Sequence, residues 1–315
     1  AAARDLLFDF LDGNASAVPG LTLAPNEIAG VRKRWLLYND DQRHLLREVF
    51  PRFDLREDQM ERILADDREA YGIRSSLREI AANPYILAEE FVGEDQDDTI
   101  SFHKIDHGML PSPHLGGAPL AEVDDWRRLR ALCVEHLKRE TRSTFLPAAE
   151  VLERVNRRLD PLPEWKRTHF SEGYLRAYRE ELAAALVVRE HDGKPYLYLR
   201  TVYEDERLVE ETILGLVRRP DISLRSPVTA QHWRAFLYDP HSPLCRLDAG
   251  EYEAAIQSQV EVCQKIFVRP LCVLSGSAGT GKTTVIRALI QAIEKAHGSG
   301  SSFRLLAPTG TAADR

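Results

Sequence analysis

The run Gly276-Ser277-Ala278-Gly279-Thr280-Gly281-Lys282-Thr283-Thr284 has the residue types and spacing of a phosphate cradle, G-x-x-x-x-G-K-[ST]. Its glycines let consecutive backbone N–H groups curl around a triphosphate, and a helix N-terminus beside them adds partial positive charge. Lys282 is placed to reach the β- and γ-phosphates, and the Thr283 hydroxyl to coordinate Mg²⁺. The chemistry implied is binding of a nucleoside triphosphate, with ATP and Mg²⁺ as the cofactors. An ordinary glycine-rich connection is the alternative, and the filled fixed positions argue against it.

Such a loop works only between a strand and a helix. Leu271-Cys272-Val273-Leu274 reads as a buried strand in front of it, and apolar residues at helical spacing follow from Val285 to Ile293. Further on, Phe303-Arg304-Leu305-Leu306-Ala307-Pro308 reads as a second strand. Upstream, a helix from Glu251 to about Phe267 delivers the chain into the loop.

Composition narrows the class. The chain has 315 residues, 43% of them hydrophobic, so two or three domains with real cores are expected. No apolar run approaches the ~20 residues of a membrane span. The four cysteines, Cys133, Cys245, Cys263 and Cys272, are scattered without a C-x-x-C pair, which argues for free thiols in a reducing, cytoplasmic setting. Net charge is −7, but residues 264–315 carry seven Lys/Arg against two Asp/Glu. A more basic, phosphate-handling end follows a more acidic front.

The front reads as helices broken by Gly/Pro loops. Leu55–Leu64 is amphipathic, and two helices meet at Asn83-Pro84, where the residue before proline avoids the helical region. Residues 93–98 form an acidic loop, expected to be a solvated charge run, and residues 108–119 look like a linker. His103 and His107 have H-x-x-x-H spacing, but neither a helix nor a partner carboxylate is evident, so a loop-packing role is expected over a metal site.

Next come a helix over Trp126–Arg139, a second carrying Val151, Leu152, Val155 and Leu159, and a third from Ser171 to about Leu186. A strand, an Asp192-Gly193 turn and a strand follow. Three helices and a hairpin are the order of a winged-helix module. Its third helix (Arg176, Arg179) or its wing (Lys194) is then a candidate for DNA backbone contact, although such modules also serve as packing units and Glu172, Glu180 and Glu181 disfavour DNA. Another amphipathic helix covers 203–219.

Around the phosphate loop the order is Gln259-Val260-Glu261-Val262, then Gly-Thr-Gly-Lys-Thr-Thr, then Ala307-Pro308-Thr309-Gly310-Thr311-Ala312-Ala313-Asp314-Arg315. This resembles the start of a superfamily 1 helicase core of the RecD-like branch: a Q motif, the Walker A loop and motif Ia. The likeness is dense over 255–315 and looser upstream. It implies that Gln259 hydrogen-bonds adenine, with Gln257 a close rival. It implies that Gly276, Ser277, Ala278, Gly279, Thr280, Gly281, Lys282, Thr283 and Thr284 hold the phosphates, and that Thr309 and Gly310 contact single-stranded DNA. An ordinary helix cap is the other reading of Thr309-Gly310.

The family's DNA-gripping hairpin after Asn83-Pro84-Tyr85 is replaced here by the acidic stretch 92–98, which puts that grip in doubt. The chain also stops before any Walker B pair, arginine finger or second lobe.

The expected whole is therefore a multi-domain protein: a mostly α N-terminal region with a winged-helix-like module, followed by the start of an α/β RecA-like P-loop NTPase domain. The expected divisions are a helical accessory domain at 1–118, the winged-helix-like module at 119–201, a helical linker region at 202–250 and the first part of the helicase domain at 251–315. The resemblance implies an ATP-dependent DNA helicase with 5′ to 3′ movement and a part in DNA repair, acting on single strands and duplex junctions. Protein partners would dock through the front domains, and no membrane is involved. These 315 residues, as its front portion, are expected to be inactive alone. A nucleotide-switched DNA-binding ATPase that does not unwind is the alternative.

Overall fold

Hydrophobic residues from Leu45 to Leu197 close into one continuous core, so the segments expected as 1–118 and 119–201 share their packing. The computed structural model describes residues 2–95, 98–115, 117–277, 279–298 and 300–306. The chain divides into two units, Ala1–Asp205 and Glu206–Arg315.

The first unit begins with α1 (Ala2–Leu11), α2 (Pro25–Leu37), α3 (Asp40–His44), α4 (Glu57–Leu64), α5 (Leu77–Ala82), α6 (Ile86–Glu90) and α7 (Phe102–Met109). Ser76 starts α5: its hydroxyl accepts from Glu79 N at 3.3 Å and its N–H donates to Glu79 Oε2 at 2.8 Å. The helix stops at Asn83, before Pro84, as expected.

The acidic stretch is corrected at one residue, Asp98; Glu94 and Asp95 are exposed as expected, and Gln96 and Asp97 lie outside the described residues. Asp98 is buried, held by Arg62, by Arg56 Nη2 at 2.6 Å, by Gln59 Nε2 at 3.0 Å and by Glu94 N at 3.1 Å. Its charge is neutralised inside the fold, because a buried carboxylate persists only with such partners. Residues 108–119 are likewise no linker. Met109 and Leu110 are buried, Leu120 N donates to Met109 O at 2.8 Å, and Arg52 Nη1 donates to Ala118 O at 3.0 Å.

The H-x-x-x-H pair lies on a helix, α7, where a loop was expected. Both imidazoles are exposed, and Asp106 between them points into the core. There its carboxylate takes Arg128 Nε at 2.8 Å, Lys166 Nζ at 2.8 Å and the Tyr85 hydroxyl at 2.6 Å. No cluster of His, Cys, Asp and Glu suited to a metal occurs among the described residues.

The second half of this unit runs α8 (Trp126–Arg139), β1 (Phe145–Pro147), α9 (Ala148–Leu159), α10 (Glu172–Ala177), α11 (Arg179–Leu182), β2 (Leu186–His191) and β3 (Lys194–Leu199). Asp125 caps α8 by accepting from Arg127 N at 2.8 Å. On α9, Ala148, Val151, Leu152, Val155 and Leu159 form one buried stripe. The single third helix expected from Ser171 is two short ones, broken at Tyr178 (φ −110°, ψ 30°). The hairpin turn falls where expected: Asp192 and Gly193 both have positive φ, 50° and 71°. β1 adds a strand not foreseen, giving an antiparallel sheet in the order β1-β3-β2.

α12 (Arg200–Val217) follows, with Leu208, Val209, Ile213, Leu214 and Val217 exposed. The second unit holds α13 (Ala230–Leu237), α14 (Pro243–Leu247), α15 (Ala249–Ile266) and α16 (Lys282–His297). Its core joins Trp233 and Leu237 of α13, Ile256, Val260 and Cys263 of α15, and Val285, Ala288 and Ala292 of α16.

The α/β layering expected here differs from what is found. Residues 271–274 and 303–306 form no strand, and Val273, Leu305 and Leu306 are largely exposed. A parallel strand is held by ladder bonds to neighbours and by cover on both faces, and these segments have neither. Among the described residues, no helix is long and apolar enough to cross a membrane.

Candidate nucleotide-binding site

Two helices set the geometry of the phosphate loop. Asp248 starts α15, its carboxylate accepting from Gly250 N and Glu251 N at 2.9 Å each. α15 then carries Gln259 toward the loop, with its neighbour Val260 anchored in the core. α16 begins at Lys282 and packs through Val285, Ala288 and Ala292, whose small side chains allow close helix approach. Trp233 of α13 meets Phe267, just past α15, edge to face at 4.9 Å.

Gly279 and Gly281 both have φ of 82°, a left-handed conformation that other residues adopt at a cost. Gly281 is the N-cap of α16, and its carbonyl accepts from Val285 N at 3.0 Å. The Lys282 ammonium folds back onto the loop, donating to Gly276 O at 2.8 Å and Ser277 O at 2.6 Å. Thr280 Oγ1 donates to Ser277 O at 2.9 Å. The loop is thus braced around a cation whose partners are two neutral carbonyls, groups that phosphate oxygens can replace. Thr283 is exposed at the helix start, with Thr284 half-buried behind it.

Gln259 lies directly against this loop. Its Nε2 donates to Thr280 O at 3.3 Å, and its Oε1 is buried with no hydrogen-bond partner among the described residues. An orphaned acceptor beside a phosphate loop is an opening for a ligand donor. Gln257, its rival, is exposed and points to Glu261 at 3.4 Å. Beneath, burial pushes the Cys263 thiol up to about 11, which keeps it neutral and inert.

The structure brings together Gln259, Gly276, Ser277, Gly279, Thr280, Gly281, Lys282, Thr283 and Thr284. Ala278, Thr309 and Gly310 lie outside the described residues. Arg176, Arg179 and Lys194 are exposed on the first unit. Phe145, Tyr196 and Tyr198 of the three-stranded sheet belong to no motif; the alternation Tyr196-Leu197-Tyr198 is what marks the two tyrosines in the sequence.

Comparison with known proteins agrees with this location. The profile of an AAA domain matches residues 255–315, which takes in α15 from residue 255 on, the loop and α16. The chain is 28% identical over 251 residues to the uncharacterized protein MJ1519 of Methanocaldococcus jannaschii, a stretch covering 76% of this chain and 21% of that protein. The chain therefore spans about a fifth of that relative's length. The loop geometry and the profile match together support a nucleotide-binding P-loop domain over residues 255–315.

Proposed function

We propose that this chain is part of an ATP-dependent DNA helicase of RecD type, coupling ATP hydrolysis to movement along single-stranded DNA and duplex unwinding. One observation carries the reading: a GxxxxGKT loop at the head of α16 with the Gln259 carboxamide resting on it. The residues fit MgATP. Gly279 and Gly281 let the backbone approach phosphate oxygens without Cβ obstruction. Lys282 would exchange its two carbonyls for phosphate, the Thr283 hydroxyl would hold Mg²⁺, and Gln259 would favour adenine through its unpaired oxygen. Bound MgATP supplies the phosphoanhydride bond whose cleavage powers the motor.

In this reading 251–315 begins a RecA-like lobe, and Thr309 and Gly310 meet the DNA backbone. The order helix, strand, helix, a third helix broken in two, then hairpin from α8 to β3 supports a winged-helix module, guiding DNA or docking a partner. The test is the full-length protein. ATP hydrolysis stimulated by single-stranded DNA, together with displacement of a duplex strand, is the expected result. Stimulation without displacement would overturn the helicase and leave a nucleotide-switched DNA-binding ATPase.

A further inference from the structure

Apart from the wing residue Lys194, the outward face of the three-stranded sheet has no role assigned in that reading. The register sets Phe145, Tyr198 and Val187 side by side, then Pro147, Tyr196 and Arg189, with His191 opposite Lys194 at the end. Leu146, Leu197 and Leu186, the alternate residues, are buried in the core. Period-two alternation therefore puts the first set on the other face.

The rings on this face touch across strands. Phe145 lies 4.9 Å from Tyr198 and 5.6 Å from Tyr196, and His191 lies 6.5 Å from Tyr196. Tyr203, from the first turn of α12, adds a ring 5.3 Å from Tyr198, with the Arg189 guanidinium 5.9 Å from its centroid. Phe145 is 40% exposed. Arg189, His191 and Lys194 are exposed, and no Asp or Glu occupies any position on this face. The flanking acids, Asp192 and Glu204, already face His191 at 3.5 Å and Arg200 at 3.3 Å.

We propose that this face is a stacking platform for the unpaired bases of single-stranded nucleic acid, with Phe145, Tyr196 and Tyr198 under the bases and Arg189 and Lys194 along the phosphates. Every base offers a π-face, so rings interleaved with cations bind single strands without sequence preference. A duplex keeps its bases stacked on each other and offers this surface only phosphate. A proline-rich peptide suits the rings but gives no reason for an acid-free row of cations in a chain of net charge −7. The charge pattern favours a polyanion.

The proposal adds a site remote in sequence from Lys282 and is tested without ATP. Full-length protein is irradiated with an oligothymidylate carrying 5-iodouracil, and the adducts are mapped. Adducts at Phe145, Tyr196 or Tyr198 are expected. Their yield should fall roughly tenfold in a Phe145→Leu/Tyr196→Leu variant and persist in Tyr196→Phe, since losing a stacking ring weakens binding about 5- to 100-fold. Adducts only outside 145–203, or equal yield from a fully duplex probe, would overturn it. Because wild-type protein gives the primary readout, a variant that fails to fold does not rescue the idea. A Lys282→Ala protein that still hydrolyses ATP would strike the motor reading and leave this one standing.

Discussion

The Gln259 carboxamide lies over Gly281: a Cβ on Gly281 would sit 2.6 Å from Gln259 Nε2. The side chain named by the Q-motif likeness and the glycine that caps the phosphate-loop helix are thus fitted to each other. Gly281 also needs its φ of 82°. Sequence spacing alone puts them 22 residues apart and is silent on this fit.

Gly281→Ala should therefore fail twice. The left-handed conformation costs a non-glycine residue about 1–2 kcal/mol, and the added carbon pushes Gln259 off Thr280. Calorimetric titration of the full-length protein should show MgATP affinity at least about tenfold weaker. Adding Gln259→Ala removes the collision but not the backbone strain, so recovery should be partial. Unchanged affinity in Gly281→Ala would contradict the loop geometry.

Gln259→Ala should raise the KM for ATP and narrow the preference for ATP over GTP, with Gln257→Ala as the neutral control. Stability should shift by less than about 1 kcal/mol, since a single neutral hydrogen bond is lost. Steady-state kinetics with both nucleotides decides it. Equal discrimination in the Gln259 variant would remove the residue from base recognition.

In the first unit, Asp106→Asn should destabilise by about 3–5 kcal/mol, because it leaves Arg128 and Lys166 buried without a counter-charge. Urea unfolding of the protein monitored in this unit reports it. A loss below about 1 kcal/mol would show that water or rearrangement supplies the missing partner.

Acid should unfold this unit through two carboxylates. Hydrogen bonding from Arg62 holds Asp98 well below the ordinary carboxylate range. Burial alone would raise Asp106, but Arg128 and Lys166 together outweigh it and hold that group low as well. A carboxyl lowered in the folded state contributes stability in full above its unfolded value, about pH 4, and loses it as pH falls further. Glu89 works in the opposite sense: burial raises it despite Arg130, so its contribution declines as pH rises past that value. Denaturation curves at pH 7, 5 and 3 should show a steep loss only in the last interval, and Asp98→Asn should flatten it. A loss already complete at pH 5 would contradict this assignment.

Much of this was legible from local signals. The Asn83-Pro84 break, α8, the stripe of α9 and the Asp192-Gly193 turn follow from residue type and spacing, which act within a few positions. The P-loop and the start of α16 were legible for the same reason. Asp98 and Asp106 were not, because their meaning depends on Arg62 and Arg128 brought in from distant positions. β1 was too short to announce itself and exists through pairing with β3. The apolar runs at 271–274 and 303–306 read as strands by composition, but a strand is completed by its neighbours.

The most direct measurement is titration of MgATP into the full-length protein and its Lys282→Ala variant. Among the described residues the Lys282 ammonium hydrogen-bonds to Gly276 O and Ser277 O, both in the loop itself, so the variant should keep close to the wild-type melting temperature. The account predicts saturable binding to the wild type, lost or weakened more than about tenfold in the variant. Equal uptake by both proteins, or no heat of binding to the wild type, would contradict it.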